Sequence, residues 1–196
     1  GTNGGLVVLV ADDPSMHSSQ DEQDSRFYGK FAMVPTLEPS NQQEAYDMIQ
    51  EAFKLSEQLH LPILMRVTTR MAHSRAVVEV VDVPREQNEL NYNAQASSWV
   101  LLPAFARKRN DIVTAQQPLL EQMAMDSKYN AYIDADDHEM GVIASGIAYN
   151  YLMEVLQNYT TLHHTTPHYT ILKVTQYPLP KTLIDQMVAD GAEEIL

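Results

Sequence analysis

Cysteine is absent from this 196-residue chain. Its absence excludes disulfides, cysteine nucleophiles, thiolate zinc sites and iron–sulfur ligation by the chain itself. Basic residues are scarce, 13 against 26 acidic ones, for a net charge of −13. A field of that sign repels phosphate backbones and anionic lipid heads, which argues against nucleic acid and membrane surfaces as partners. No apolar run approaches the ~20 residues of a membrane span. No basic stretch followed by a long apolar one opens the chain, so no signal peptide is read and a cytoplasmic protein is the default. The G-x-G-x-x-G and P-loop phosphate motifs are missing as well. What remains is 44% hydrophobic residues, enough to bury the core of one large domain or two small ones.

Helix and strand signals alternate along the chain. Leu6–Ala11 is a continuous apolar run, which predicts a strand buried on both faces, as in a parallel sheet. Phe27–Met33 reads as a short helix and Val34–Leu37 as an extended segment. Ser40 predicts the cap of a longer helix, with Gln43 completing a capping box. Ala45, Met48, Ile49, Ala52, Phe53 and Leu59 would form its apolar face, and Pro62 would end it. Ile63–Thr68 is the next strand, so the order is strand, helix, strand with short connections. Residues 83–97 read as a polar linker. Pro103 opens a helix that Pro118 should interrupt or kink. A second α/β unit follows: strand Met140–Ser145, a turn at Gly146, helix Ala148–Leu156, a loop from His163 to His168, strand Tyr169–Val174, and a helix after Pro180. The glycine-rich start and the ending at Glu193–Leu196 read as those of a piece cut from a longer polypeptide.

The polar segment after the first strand is the richest candidate site. It holds Asp12, Asp13, His17, Ser18, Ser19, Gln20, Gln23 and Arg26. In open parallel sheets ligands bind outside the carboxyl ends of strands, and these side chains can orient a polar substrate and shuttle protons. The bland alternative is a solvated connection that caps the next helix. Arg70 and His73, after the second strand, could line the same crevice, the arginine gripping a carboxylate, or simply face water. No metal site is assigned. Asp134, Asp136 and Asp137 suggest calcium, but His138 and Glu139 break the required spacing. His163, His164 and His168 lack helical register and read as an exposed loop. Ser145-Gly146 has no G-x-S-x-G frame.

Several of these segments carry a resemblance. The run from Gly4 to Gln20, with Gln23-Asp24-Ser25-Arg26, Leu37-Glu38-Pro39-Ser40 and Gln43-Glu44-Ala45-Tyr46, resembles the alpha subunits of indolepyruvate:ferredoxin oxidoreductases, within the 2-oxoacid:ferredoxin oxidoreductase family. Leu64-Met65-Arg66-Val67-Thr68-Thr69-Arg70, His73-Ser74-Arg75, Ile143 to Asn150 and Tyr177-Pro178-Leu179-Pro180 extend the likeness over nearly the whole chain, most weakly between about Val83 and Met140. Asp21 and Ala72 depart from the asparagine and serine usual there.

The resemblance implies an α/β fold with mostly parallel sheets: residues 1–75 as the second half of a pyrimidine-binding domain, 76–139 as a connecting region with a helix, and 140–196 as a truncated unit like the C-terminal domain of transketolase. It implies thiamine-diphosphate chemistry, in which an aryl 2-oxoacid is decarboxylated, the acyl group passes to coenzyme A, and two electrons pass through 4Fe-4S clusters to ferredoxin. The cofactor is the electron sink. The ligands of the diphosphate and magnesium, and the cluster cysteines, would lie outside this chain, so the resemblance implies that the chain alone is inactive. A beta subunit and an oligomeric assembly are implied as partners. His17, Ser18, Ser19 and Gln20 would approach the cofactor or the substrate carbonyl. Asp12, Asp13, Gln23, Arg26, Arg70 and His73 would bind substrate. A pyruvate or 2-oxoglutarate oxidoreductase, or a non-catalytic α/β interaction module, are the competing readings.

Overall fold

In chain order the elements are β1 (Val7–Asp12), α1 (Arg26–Ala32), β2 (Thr36–Leu37), α2 (Gln42–Leu59), β3 (Ile63–Thr68), α3 (Thr69–Ala72), α4 (Pro103–Met125), β4 (Ala131–Ile133), β5 (Met140–Ser145), α5 (Gly146–His163), β6 (Thr170–Val174), β7 (Gln176–Tyr177), α6 (Lys181–Ala189) and β8 (Glu194–Ile195). The computed structural model describes residues 2–82, 99–135, 138, 140–164 and 169–196. The polar segment 83–97, Asp136, Asp137, Glu139 and His168 therefore lie outside the described residues.

Two four-stranded sheets result, ordered β1-β3-β2-β7 and β4-β6-β5-β8. Parallel pairing joins β1 to β3, β2 to β3, β5 to β6 and β5 to β8. The short β7 and β4 pair antiparallel with β2 and β6. The expected α/β architecture with mostly parallel sheets is what forms. The first sheet takes a strand from late in the chain, because β7 follows β6 after a single residue and crosses to Thr36 and Leu37.

Strand register assigns the faces of the first sheet. Leu37 pairs with Met65, and both face a core built with Met48, Ala52, Leu59, Leu61 and Ile63, sealed by Leu120 of α4. Burying a side chain such as Met48 or Ile63 contributes about 1.5–3 kcal/mol. Thr36 and Leu64 occupy the opposite face, and α1 lies there. Gly29 makes that contact: a Cβ on it would collide with Thr36 Oγ1. The second sheet has its own core of Leu172, Val174 and Met187, joined by Leu183 and Ile184 of α6.

Several local expectations shift. Among the described residues only β3 pairs with β1, which therefore lies at the sheet edge with Val8 and Leu9 exposed. Asn41, not Ser40, caps α2. Its side chain accepts from Glu44 N at 2.9 Å, while Glu44 Oε2 accepts from Ser40 N and Oγ at 2.8 and 2.7 Å. The expected box with Gln43 does not form: Glu44 reaches back past the cap residue to Ser40 instead. Phe53 faces solvent. Pro118 sits inside a helix that continues through it. Gly146 is the first residue of α5 instead of a separate turn, and that helix runs on to His163, with His164 left-handed at its end.

Candidate active site

β1 and β3 end side by side, with Asp12 in register with Thr68. That parallel pair brings the segment after β1 and the segment after β3 to one edge. A cleft of about 310 Å³ opens there, lined by Ala11, Asp12, Asp13, Ser18, Ser19, Gln23, Thr69, Ala72 and His73.

Asp13 holds the loop that forms one wall. Its Oδ2 accepts from Ser18 N at 2.6 Å, Ser19 N at 2.7 Å and Ser18 Oγ at 3.2 Å. Its Oδ1 accepts from Thr69 Oγ1 at 2.6 Å and His17 N at 3.1 Å. The Thr69 hydroxyl and the Ser19 and Ser18 amides hold the Asp13 carboxyl well below the usual carboxylate range. Gln23 Oε1 accepts from Asp13 N at 3.1 Å, and Glu22 Oε2 from Ser15 N at 2.9 Å. Ser15 and Met16 both have left-handed backbones, φ 65° and 52°. Such residues cost on the order of 1–2 kcal/mol each, and a carboxylate collecting three consecutive amides offsets that cost.

A buried ion network stands beside the cleft, on the α1 face of the sheet. Arg66, in the middle of β3, has its guanidinium on Asp12 through Nε and on Glu38 through Nη1. All three are more than nine-tenths buried. Asp12 also accepts from Ser25 N at 2.7 Å and Ser25 Oγ at 2.5 Å. Burial works against its charge, but the Ser25 and Arg66 hydrogen bonds prevail and hold Asp12 below its ordinary value. Arg26, at the start of α1, grips both oxygens of Asp24 at 2.7 and 2.6 Å. Asp24 is held low by that grip. The second unit reaches the same cluster. Tyr177 donates to Glu38 Oε2 at 3.0 Å and Ser145 Oγ accepts from Arg26 Nη1 at 3.0 Å. Burial, and then the Glu38 charge, push the Tyr177 phenol up to about 12.

The structure thus brings together Asp12, Asp13, Ser18, Ser19, Gln23 and His73 around one cleft, with Arg26 in the adjoining network. His17 contributes its backbone amide to Asp13 while its side chain is exposed. Gln20 and Arg70 are also exposed. Sequence reasoning gave no site role to Glu38, Arg66 or Tyr177; Ser25 and Thr69 fell inside the two candidate segments without roles of their own, and Ser145 was weighed only as a nucleophile. Arg66 did carry a signal: it is a single cation within an otherwise apolar strand, and such a charge needs buried partners.

Comparison with known proteins identifies the lineage. The family model described as pyruvate flavodoxin/ferredoxin oxidoreductase, thiamine diphosphate-binding, matches residues 10–143, and the chain belongs to that family. It is 40% identical over 198 residues to the indolepyruvate oxidoreductase subunit IorA of Archaeoglobus fulgidus and 39% identical to that of Methanothermobacter marburgensis. All of this chain is covered and 31% of each relative. The Pyrococcus horikoshii subunit of the same name is 37% identical over 202 residues, covering 100% of this chain and 30% of that protein. The chain therefore spans about a third of the length of these curated relatives. Among solved structures, the 2-oxoglutarate:ferredoxin oxidoreductase from Magnetococcus marinus, with 2-oxoglutarate, coenzyme A and succinyl-CoA bound, superposes with a TM-score of 0.65 at 11% identity. It covers 97% of this chain and 40% of that one. That likeness shows the fold.

The donor chemistry of the cleft can be tested against thiamine diphosphate. Its lining offers hydroxyls from Ser18 and Ser19, the Gln23 amide, the His73 imidazole and two carboxylates, and no lysine or arginine. Such a lining fits the polar, uncharged or cationic rings of the cofactor and repels its diphosphate. Among the described residues no group of three or more metal-binding side chains comes together.

Proposed function

We propose that the chain is part of an oxidoreductase that oxidatively decarboxylates aryl 2-oxoacids, indolepyruvate foremost, to acyl-CoA with ferredoxin as electron acceptor. The observation that carries this reading is the Asp13-held loop at the joined carboxyl ends of β1 and β3, in a chain whose full-length relatives bear the indolepyruvate oxidoreductase name. A beta subunit, ferredoxin and coenzyme A are its partners, in an oligomeric, cytoplasmic assembly.

Thiamine diphosphate supplies an electron sink when bound. This chain's residues orient and enclose. Asp13 fixes the backbone of His17, Ser18 and Ser19, so the serine hydroxyls and the His17 imidazole are presented from a loop that does not reorganise during reaction. Ser18 and Ser19 approach the substrate carbonyl, with Gln20 and Gln23 at their flank; donating to it requires their hydroxyls to turn from Asp13 Oδ2 and the Asp21 carbonyl oxygen, which they meet at 3.2 and 2.7 Å. An imidazole nitrogen of His17 would give a proton to the substrate's ketone oxygen as it becomes a hydroxyl and take it back as the acyl group is released. Arg26 pairs with the substrate carboxylate, and Arg70 and His73 add polar contacts from the β3 side. The buried Asp12–Arg66–Glu38 chain keeps Ser25 and the start of α1 in place. Magnesium and the diphosphate are held by residues elsewhere in the enzyme, as are the 4Fe-4S clusters, since this chain contains no cysteine. The isolated chain is accordingly inactive.

The test uses the full-length subunit co-purified with its partner subunit under anaerobic conditions. Coenzyme A-dependent reduction of ferredoxin should be fastest with indolepyruvate. Faster turnover of pyruvate or 2-oxoglutarate would replace the aryl assignment. No oxidation of any of the three would remove the enzyme reading and favour an interaction module.

A further inference from the structure

Arg26 is held from two directions that differ in origin. Asp24, two residues before it, takes Nε and Nη2 as a fork, so that pairing belongs to the local chain. The opposite side of the guanidinium is met by Glu38 of the first unit and by groups from far along the sequence. Ser145, 119 residues on, accepts from Nη1 at 3.0 Å. Glu38 Oε2 stands 4.0 Å from the same nitrogen and is itself fixed by the Tyr177 hydroxyl at 3.0 Å. Ser145 ends β5 of the second sheet, and Tyr177 belongs to β7, the strand that crosses to the first sheet. Both contacts exist only when the second unit is docked. A guanidinium carries five N–H groups, and Asp24 and Ser145 use three. The Arg26 side chain stays 36% exposed, so its outer edge is open to a ligand.

We propose that Ser145 and Tyr177 are positioning residues, through which the second α/β unit orients Arg26 to receive the carboxylate of a 2-oxoacid. The proposal rests on the reading of Arg26 given under Proposed function. Asp24 is tied to the first unit, standing 3.8 Å from Arg66 Nε, but it fixes only the Nε–Nη2 edge of the Arg26 guanidinium. With Ser145 on Nη1, and with Glu38 held in place by Tyr177, the plane of the guanidinium is set, and a bidentate acceptor gains from that preorganisation. Gly146 makes the approach feasible, because its missing Cβ lets the start of α5 lie against Glu38.

The experiment compares Ser145→Ala, Ser145→Thr and Tyr177→Phe with wild type in the full-length two-subunit enzyme. Two quantities are read: kcat and KM for indolepyruvate, and the Kd of indole-3-acetate, an aryl carboxylate without the ketone, by calorimetry. Thermal melting checks the fold. Ser145→Ala and Tyr177→Phe should raise KM and Kd by about fivefold, the usual worth of one hydrogen bond, with a smaller loss in kcat. Ser145→Thr, which keeps the hydroxyl, should restore both. Unchanged KM and Kd in a folded Ser145→Ala enzyme would overturn the proposal, as would wild-type enzyme that neither binds indole-3-acetate nor oxidises indolepyruvate. If Tyr177→Phe fails to fold, the Ser145 pair decides. Binding of indole-3-acetate that weakens in Ser145→Ala, in an enzyme that oxidises no 2-oxoacid, would sustain the positioning role and remove the proposed reaction.

Discussion

Gly146 and Glu38 meet where the two units join: a Cβ on Gly146 would stand 2.6 Å from Glu38 Oε1. Glu38 cannot retreat, because Arg66 and Tyr177 hold its two oxygens. Gly146 also has φ +51°, which an L side chain adopts at a cost. Gly146→Ala should therefore destabilise the protein by about 2–3 kcal/mol. Urea unfolding would measure it, and a loss under about 0.5 kcal/mol would mean that the close approach is not kept in solution.

Arg66 supplies the positive charge between Asp12 and Glu38. Removing it in Arg66→Met leaves two buried carboxylates with no cation of their own. Breaking a buried pair in this way costs about 3–5 kcal/mol, far more than the intact pair contributes relative to an apolar replacement. Chemical denaturation should show that loss. Arg66→Lys should recover only part of it, since a single ammonium cannot bridge both carboxylates in the guanidinium's geometry.

Asp13 makes the loop sensitive to acid. Its folded pKa lies below the ordinary value near 3.8. A depressed carboxylate stabilises the fold above its unfolded pKa and loses that contribution as pH falls through the folded one. Stability should thus begin to fall below about pH 5 and keep falling beneath pH 3. Asp13→Asn should flatten that slope, measured as urea midpoints across the acid range. An identical slope in the variant would remove Asp13 as its source.

His17 presents its side chain to solvent from a loop whose backbone Asp13 holds. In the full-length enzyme, His17→Ala should lower turnover at least about tenfold, the low end for loss of a general acid or base, while the melting temperature stays close to wild type. Steady-state kinetics with indolepyruvate would decide it, and unchanged kcat would take His17 out of the site.

Much of the scaffold could be read locally. The β3 and β5 limits follow from apolar runs bounded by Pro62 and Gly146, and α2 follows from its apolar spacing and the cap residues before it. The loop after β1 stood out because dense polar side chains follow a strand directly. The cap of α2 was harder, since Ser40 and Asn41 are both competent acceptors and only the path of the chain chooses Asn41. A run of aliphatic residues such as β1 asks for burial on both faces but does not say which strands will flank it, and among the described residues only β3 does.

The sequence by itself determined the alternation of elements, the acidic and cysteine-free character, and the family to which residues 10–143 belong. Those depend on composition and on neighbours within a few positions, where propensity and periodicity act. Only the tertiary structure decided that Arg66 would meet Asp12 and Glu38, 54 and 28 residues away, and that Ser145 would meet Arg26 across 119. A buried charge must find its partner through the sheet that encloses it, and which side chains share a sheet face is settled by strand order and register.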